Sequence, residues 1–231
     1  MILSLYDFTG EAVKPWAEMG FKCVCFDIQH SKVSPRVEGN ISYLHADLHN
    51  RQDLTEIALE YENKVKFLMA WPDCTDMAVS GSRHFEKKRG VDPLFQIHAS
   101  DHARMCGNLG EIFGCPWMVE NPRSVLSTFW RKPDHSFNPF DYGGYIEAVN
   151  AFHPTYPEYI SPFDAYPKET FLWTGGRFVM PDKKPVHVNP GYSDQFKKLG
   201  GKSLKTKNIR SATPRGFAKA VMLSNLRSCC E

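Results

Sequence analysis

The chain has no apolar run long enough to cross a bilayer, which takes roughly 20 consecutive apolar residues. Its start, Met-Ile-Leu-Ser-Leu-Tyr-Asp, has neither the basic segment nor the long apolar stretch of a secretory signal. No membrane partner and a cytoplasmic location are therefore expected. Zinc spacing is lacking too. Of the seven cysteines, none forms a Cys-x-x-Cys pair backed by a second pair or by spaced histidines, so no metal site is expected. There is no internal repeat and no low-complexity tract. Excess charge of one sign is also scarce: 28 basic and 26 acidic residues leave a net +2, which neither demands nor excludes nucleic acid.

What is present is enough for a sizeable core. The 231 residues are 42% hydrophobic and 13% aromatic, which fits one domain. Cys23 and Cys25 sit two apart in an apolar run, where strand alternation puts both on one buried face. Cys229 and Cys230 lie at the extreme C-terminus and are expected to fray. Basic residues gather late, at Lys197, Lys198, Lys202, Lys205, Lys207, Arg210 and Arg215. They form either a solvated loop or a phosphate-contacting edge.

The first thirty residues read as a βαβ unit. An apolar run, Ile2 to Tyr6, stops at Asp7-Phe8-Thr9-Gly10. A periodic segment follows from Ala12 to Met19, and after Gly20 a second run extends from Phe21 to Ile28. Asp27 ends that run twenty residues after Asp7, where nucleotide-binding α/β folds hold ribose hydroxyls on an acid. The pattern then repeats. Strands are expected at Ile41 to His45, running on to Asp47, at Val65 to Trp71, and at Trp117 to Glu120, stopped by Asn121-Pro122. Helices are expected over Gln52 to Glu62 and Asp92 to Leu109. Beyond Asn121 prolines interrupt an aromatic-rich region, followed by one more strand, Lys168 to Trp173. A terminal helix is expected over Pro214 to Leu226, with Ser211 or Thr213 near its N-cap.

Alternating strands and helices argue for an α/β fold, a mostly parallel sheet with helices on both faces. Ligands in such sheets bind beyond the carboxyl ends of the strands. Asp7, Asp27, Asp47, Cys74 and Glu120 all fall at such ends. Cys74 follows Pro72-Asp73 after an apolar strand and precedes small polar residues. The thiol is either a nucleophile, its pKa depressed by free backbone N–H groups, or a buried small hydrophobe. Glu120 is either a desolvated general acid or a structural carboxylate.

Taken in order, these motifs resemble the cytosine carbon-5 DNA methyltransferase family, most closely its short phage and prophage versions. Asp7-Phe8-Thr9-Gly10 matches the first cofactor motif, Phe26-Asp27-Ile28 looks like the second, and Asp47-Leu48 resembles the third. Trp71-Pro72-Asp73-Cys74-Thr75 stands where the family carries its Pro-Cys nucleophile loop. Val119-Glu120-Asn121-Pro122 resembles the motif that grips the base, and Arg210 to Phe217 the closing cofactor motif. The stretch from Asn138 to Pro181 also looks like the short versions, so the resemblance spans nearly the whole chain.

The resemblance implies a Rossmann-like fold that binds S-adenosylmethionine and methylates carbon 5 of cytosine in DNA. Cys74, Glu120 and Asn121 would be catalytic. Asp7, Phe8, Thr9, Gly10, Asp27, Ile28, Asp47, Leu48, Pro72 and Thr213 would hold the cofactor. Phe8, Trp16 or Trp71 would lie against its cationic sulfonium. Ser80, Arg123, Lys168 and Thr170 would meet the substrate. One methyltransferase domain is implied: a cofactor and catalytic core at 1–130, an irregular, reduced substrate side at 131–205, and a helix at 206–231 returning to the core. The location implied is the cytoplasm, that of the bacterial host for a phage-encoded chain.

Four departures qualify the match. Glu11-Ala12-Val13 stand where the first motif is richer in glycine, Asp73 replaces a second proline, the usual basic pair of the later strand is at best Lys168 in Lys168-Glu169-Thr170, and the large target-recognition segment is missing. The last leaves open a nucleotide or single-stranded substrate, attachment of a group other than methyl, a silent binding homologue, or a homodimer that supplies the DNA-gripping surface.

Overall fold

The computed structural model describes residues 1–191, 193–200 and 203–230, and for Cys230 only its backbone. Eight strands form one sheet: β1 (Ile2–Leu5), β2 (Cys23–Asp27), β3 (Arg36–Glu38), β4 (Ile41–His45), β5 (Phe67–Ala70), β6 (Trp117–Pro122), β7 (His135–Phe137) and β8 (Thr170–Gly175). The helices are α1 (Lys14–Glu18), α2 (Arg51–Tyr61), α3 (Phe85–Val91), α4 (Phe95–Phe113), α5 (Leu126–Phe129), α6 (Asp194–Lys198), α7 (Leu204–Ser211) and α8 (Arg215–Cys230). Among the described residues no helix is long and apolar enough to cross a membrane.

The strand order is β3-β4-β2-β1-β5-β6-β8-β7. From β4 to β6 the neighbours are parallel, while β3, β8 and β7 pair antiparallel. The chain winds outward from β1 through β2 to β4, then returns to the other side of β1 at β5. This reversal opens a crevice at the carboxyl ends of the central strands.

Period-two alternation sorts the strand residues onto two faces. Leu3, Leu5, Val24, Phe26, Leu68, Ala70, Trp117 and Val119 face a cluster completed by α2 and α4. Ile2, Cys23, Cys25, Phe67, Met69 and Met118 face the other, completed by α1 and α8. The expected fold class is therefore present, with helices on both faces. The two early cysteines share one buried face, as alternation requires.

Several boundaries differ from the sequence reading. α1 is shorter than Ala12 to Met19 because the Gly10 carbonyl accepts both Val13 N–H and Lys14 N–H, which keeps residues 11–13 in a turn. α4 starts later and runs longer, from Phe95 to Gly114, a left-handed C-cap at φ 62°. Before it, the Asp92 carboxylate accepts Leu94 N–H at 2.9 Å and holds a turn ahead of the helix. Pro122 does not stop its strand. It closes β6 opposite Thr170, at a position where its missing N–H is tolerated. The strands β3 and β7 were not foreseen, being three residues long with little alternation.

Two expectations near the C-terminus are corrected. Cys229 does not fray: it is buried, and its thiol donates to the Lys66 carbonyl at 3.3 Å at the foot of β5. Arg215 is neither solvated nor free for phosphate. Its guanidinium pairs with buried Asp164 at 2.9 Å and donates to the carbonyls of Asn150, Ala151 and Phe152. It thereby fastens the proline-rich segment to the start of α8.

Candidate functional site

The crevice has two halves. In the first, the chain leaves β1 through Tyr6 at φ 59°, a left-handed conformation that a non-glycine residue adopts only under constraint. Asp7 then organises the turn. Its Oδ1 accepts Gly10 N–H at 2.7 Å and Thr9 Oγ1–H at 3.3 Å, and its Oδ2 accepts Ser4 Oγ–H at 2.8 Å. Gly10 sits at φ +72°, and a Cβ there would lie 2.5 Å from the Tyr43 hydroxyl. His30 braces the same turn from beneath: its Nε2 lies 3.1 Å from the Asp7 carbonyl, and its ring stacks on Phe8 with centroids 5.6 Å apart. Burial lowers the His30 pKa, favouring the neutral ring whose Nε2–H can donate to that carbonyl.

At the end of β2, Asp27 Oδ1 accepts Gln29 N–H at 2.8 Å, and burial raises the pKa of this carboxyl. A cavity of about 30 Å³ lies between these loops and the C-terminal segment. Its walls are Tyr6, Asp7, Phe8, Thr9, Asp27, Gln29 and Trp71 on one side and Asn208, Ser211 and Thr213 on the other.

The second half lies beyond β5 and β6. Trp71 Nε1–H donates to Ser4 Oγ at 3.1 Å, tying the two halves together. Asp73 Oδ1 accepts Thr75 N–H at 2.7 Å, and the Cys74 carbonyl accepts Met77 and Ala78 N–H groups. The segment after Cys74 is stitched to the loop after β6 by Val79 N–H donating to the Arg123 carbonyl at 3.0 Å. Asn121, wholly buried, donates its Nδ2–H to the Pro72 carbonyl at 3.3 Å, while its Oδ1 has no partner. Glu120 Oε1 is likewise buried without a partner.

The electrostatics correct one expectation. Cys74 is not a depressed thiol. Burial pushes it up to about 11, with the Glu120 and Asp73 charges adding to the rise and Lys168 opposing it. The Thr75 N–H that follows it is bound by Asp73 rather than left free. Burial also raises the Glu120 carboxyl, against the pull of Lys168. Lys168 thus acts on both groups, while its Nζ donates to the Arg210 carbonyl at 3.0 Å.

The other sequence candidates are distributed unevenly. Thr170 is buried on β8 with its hydroxyl donating to the Lys168 carbonyl at 3.0 Å. Ser80 and Arg123 are exposed beside the loop that carries Cys74. Pro72 is buried behind it. Ile28 is exposed, and Leu48 is buried in the α2–α4 core, its carbonyl accepting the Tyr6 hydroxyl at 3.0 Å. Asp47 caps His49 N–H at 3.1 Å. None of Ile28, Asp47 and Leu48 lines the pocket. Of the three aromatic candidates, Phe8 and Trp71 line it and Trp16 is fully buried in the α1–α8 core. Among the described residues no group of three or more His, Cys, Asp or Glu could hold a metal ion.

No protein-family model and no curated protein matches the chain. Among solved structures, the chain is similar to MycE, a methyltransferase from the mycinamycin biosynthetic pathway in complex with Mg and SAH. The match has 13% identity and a TM-score of 0.32, and it covers 92% of this chain and 48% of that one. This chain thus spans about half the length of MycE.

Gln29, His30 and Asn208 escaped the sequence reading, whereas Ser211 lies in the stretch that resembles the closing cofactor motif. Gln29 and His30 directly follow Asp27-Ile28 and were within reach of it. Asn208 carried no signal, since it lies in a stretch whose lysines and arginines dominate its appearance.

Proposed function

We propose that the chain is an S-adenosylmethionine-dependent methyltransferase acting on carbon 5 of cytosine in DNA. The observation that carries this reading is the placement of the Cys74 thiol, the raised Glu120 carboxyl and the orphaned Asn121 Oδ1 on adjacent strand ends. Next to them lies a small pocket whose lining carries groups that an adenosyl cofactor would use. The pocket fits the cofactor's chemistry: Asp27 offers a carboxylate for ribose hydroxyls, and Phe8 and Trp71 offer π-faces toward a sulfonium. Asp7 shapes the loop through its turn bonds. When bound, the cofactor supplies an electrophilic methyl group.

The chain's own residues account for activating the base. Cytosine carbon 5 is a weak nucleophile, so the ring must first be made electron-rich. The Cys74 sulfur, as thiolate, forms a bond to carbon 6. Glu120, whose carboxyl burial shifts toward the protonated form, donates a hydrogen bond or a proton to ring nitrogen 3 and so stabilises the charge pushed into the ring. Asn121 Oδ1 is an unused acceptor for the exocyclic amine. After carbon 5 takes the methyl group and loses its proton, the sulfur–carbon 6 bond breaks and the thiolate is released. In duplex DNA the base must leave the stack first, at roughly a few kcal/mol. The thiol, pushed up to about 11, is mostly protonated at rest, so ionisation belongs to the substrate-bound state, where Lys168 favours the anion.

The test is labelled methyl transfer from S-adenosylmethionine to cytosine-containing DNA, together with trapping on DNA carrying 5-fluorocytosine. The expected result is label in polymer and a covalent complex that Cys74→Ala abolishes. Label in free nucleotide but not in polymer would redirect the substrate, and full transfer by Cys74→Ala would sink the mechanism.

A further inference from the structure

α7 touches both halves of the crevice. Asn208 and Ser211 enter the pocket wall, and the Arg210 carbonyl holds Lys168. Asn208 Nδ2–H also donates to Gln29 Oε1 at 3.0 Å, joining residues 179 positions apart. Among the described residues this is the one side-chain hydrogen bond between α7 and the loops after β1, β2 and β5. Both partners line the pocket.

Each side of the bond is anchored differently. The Gln29 backbone is pinned to Asp27 Oδ1, so its side chain projects from the loop that carries the ribose-type acid. α7 is capped by Ser203, whose Oγ accepts Thr206 N–H at 3.2 Å, and is seated by buried Thr206 and Ile209. A cavity of about 30 Å³ is far smaller than ligand sites, which run from about 300 to about 1,000 Å³. An adenosyl amino acid therefore needs this wall to yield on entry. A neutral amide pair is suited to that, since such a bond is worth roughly a factor of five in an equilibrium.

We propose that Gln29 and Asn208 form a latch across the pocket, opening to admit an adenosyl sulfonium ligand and re-forming over it to set its residence time. The latch rests on the cofactor reading above. It predicts that both residues act through one shared bond rather than through separate contacts with the ligand.

The experiment is stopped-flow binding of S-adenosylmethionine and S-adenosylhomocysteine to the full chain. Gln29→Ala and Asn208→Ala should each raise the dissociation rate about fivefold, with association unchanged or faster. The double variant should release no faster than either single one. Asn208→Leu, which keeps volume without the amide, should behave like Asn208→Ala. Unchanged dissociation in all variants, or additive losses in the double variant, would overturn the latch while wild-type binding upholds the cofactor reading. A wild-type chain that binds neither ligand would remove that reading and the latch with it.

Discussion

At the carboxyl end of β1 both oxygens of Asp7 are occupied by Ser4, Thr9 and Gly10. At the carboxyl end of β6, Glu120 Oε1 and Asn121 Oδ1 are buried with no partner. The same sheet thus ends in a turn whose polar groups are satisfied and in another whose polar groups are not. A satisfied turn holds its shape without a ligand and is suited to binding. Orphaned polar atoms cost roughly 1–3 kcal/mol each, a cost that a base of matching hydrogen-bond pattern relieves. The second half is therefore poised for a partner, and its thiol, pushed up to about 11, is poised with it.

The largest effect should come from Cys74→Ala, which should lower methyl transfer by on the order of 10⁴-fold or more and leave cofactor binding intact, as read by single-turnover assay and calorimetry. Glu120→Gln should reduce transfer by roughly 10²–10⁴-fold. It should also stabilise the fold at neutral and alkaline pH. The Glu120 pKa is raised in the folded state, so its contribution is complete below the ordinary carboxyl pKa and is lost as pH rises through the folded value. Glutamine mimics the protonated form and escapes that loss. Urea unfolding at several pH values checks this, and a variant losing stability above neutrality would contradict the contrast between the halves.

Asp7→Ala tests the satisfied half. It strands Gly10 N–H and the Ser4 hydroxyl and should cost about 2–3 kcal/mol of stability, visible as a lower urea midpoint. Lys168→Met should move the alkylation midpoint of Cys74 upward from about 11, because it removes the one influence of a neighbouring charge that lowers this thiol. Iodoacetamide rates against pH report it directly. The smallest effect concerns His30. Its pKa is lowered by burial, so its contribution is present above about 6.5 and declines as pH falls toward the folded value. His30→Gln should flatten that decline in a series of melts.

Much of this architecture was legible in the residues. Ile41 to His45 is bounded as expected, and α2 begins at Asn50, whose side chain accepts Gln52 N–H, with Leu54, Ile57 and Tyr61 buried at helical spacing. Such features depend on near neighbours in the chain, and runs and periods record them. Cys74 and Glu120 could be placed at strand ends for the same reason.

Other features depend on what packs against what. Leu48 is buried because α2 and α4 cover it, and Arg215 is buried because Asp164, far away in the chain, meets it at α8. The Gln29–Asn208 bond and the shared influence of Lys168 on Cys74 and Glu120 exist only once β2, β5, β6 and α7 converge. The sequence by itself determined where strands end and which chemical groups stand there, because apolar runs and turn residues act locally. Only the tertiary structure decided which of those groups are satisfied and which are left in want of a partner. Burial and long-range contact set that, and they also raise the thiol that local sequence suggested would be low.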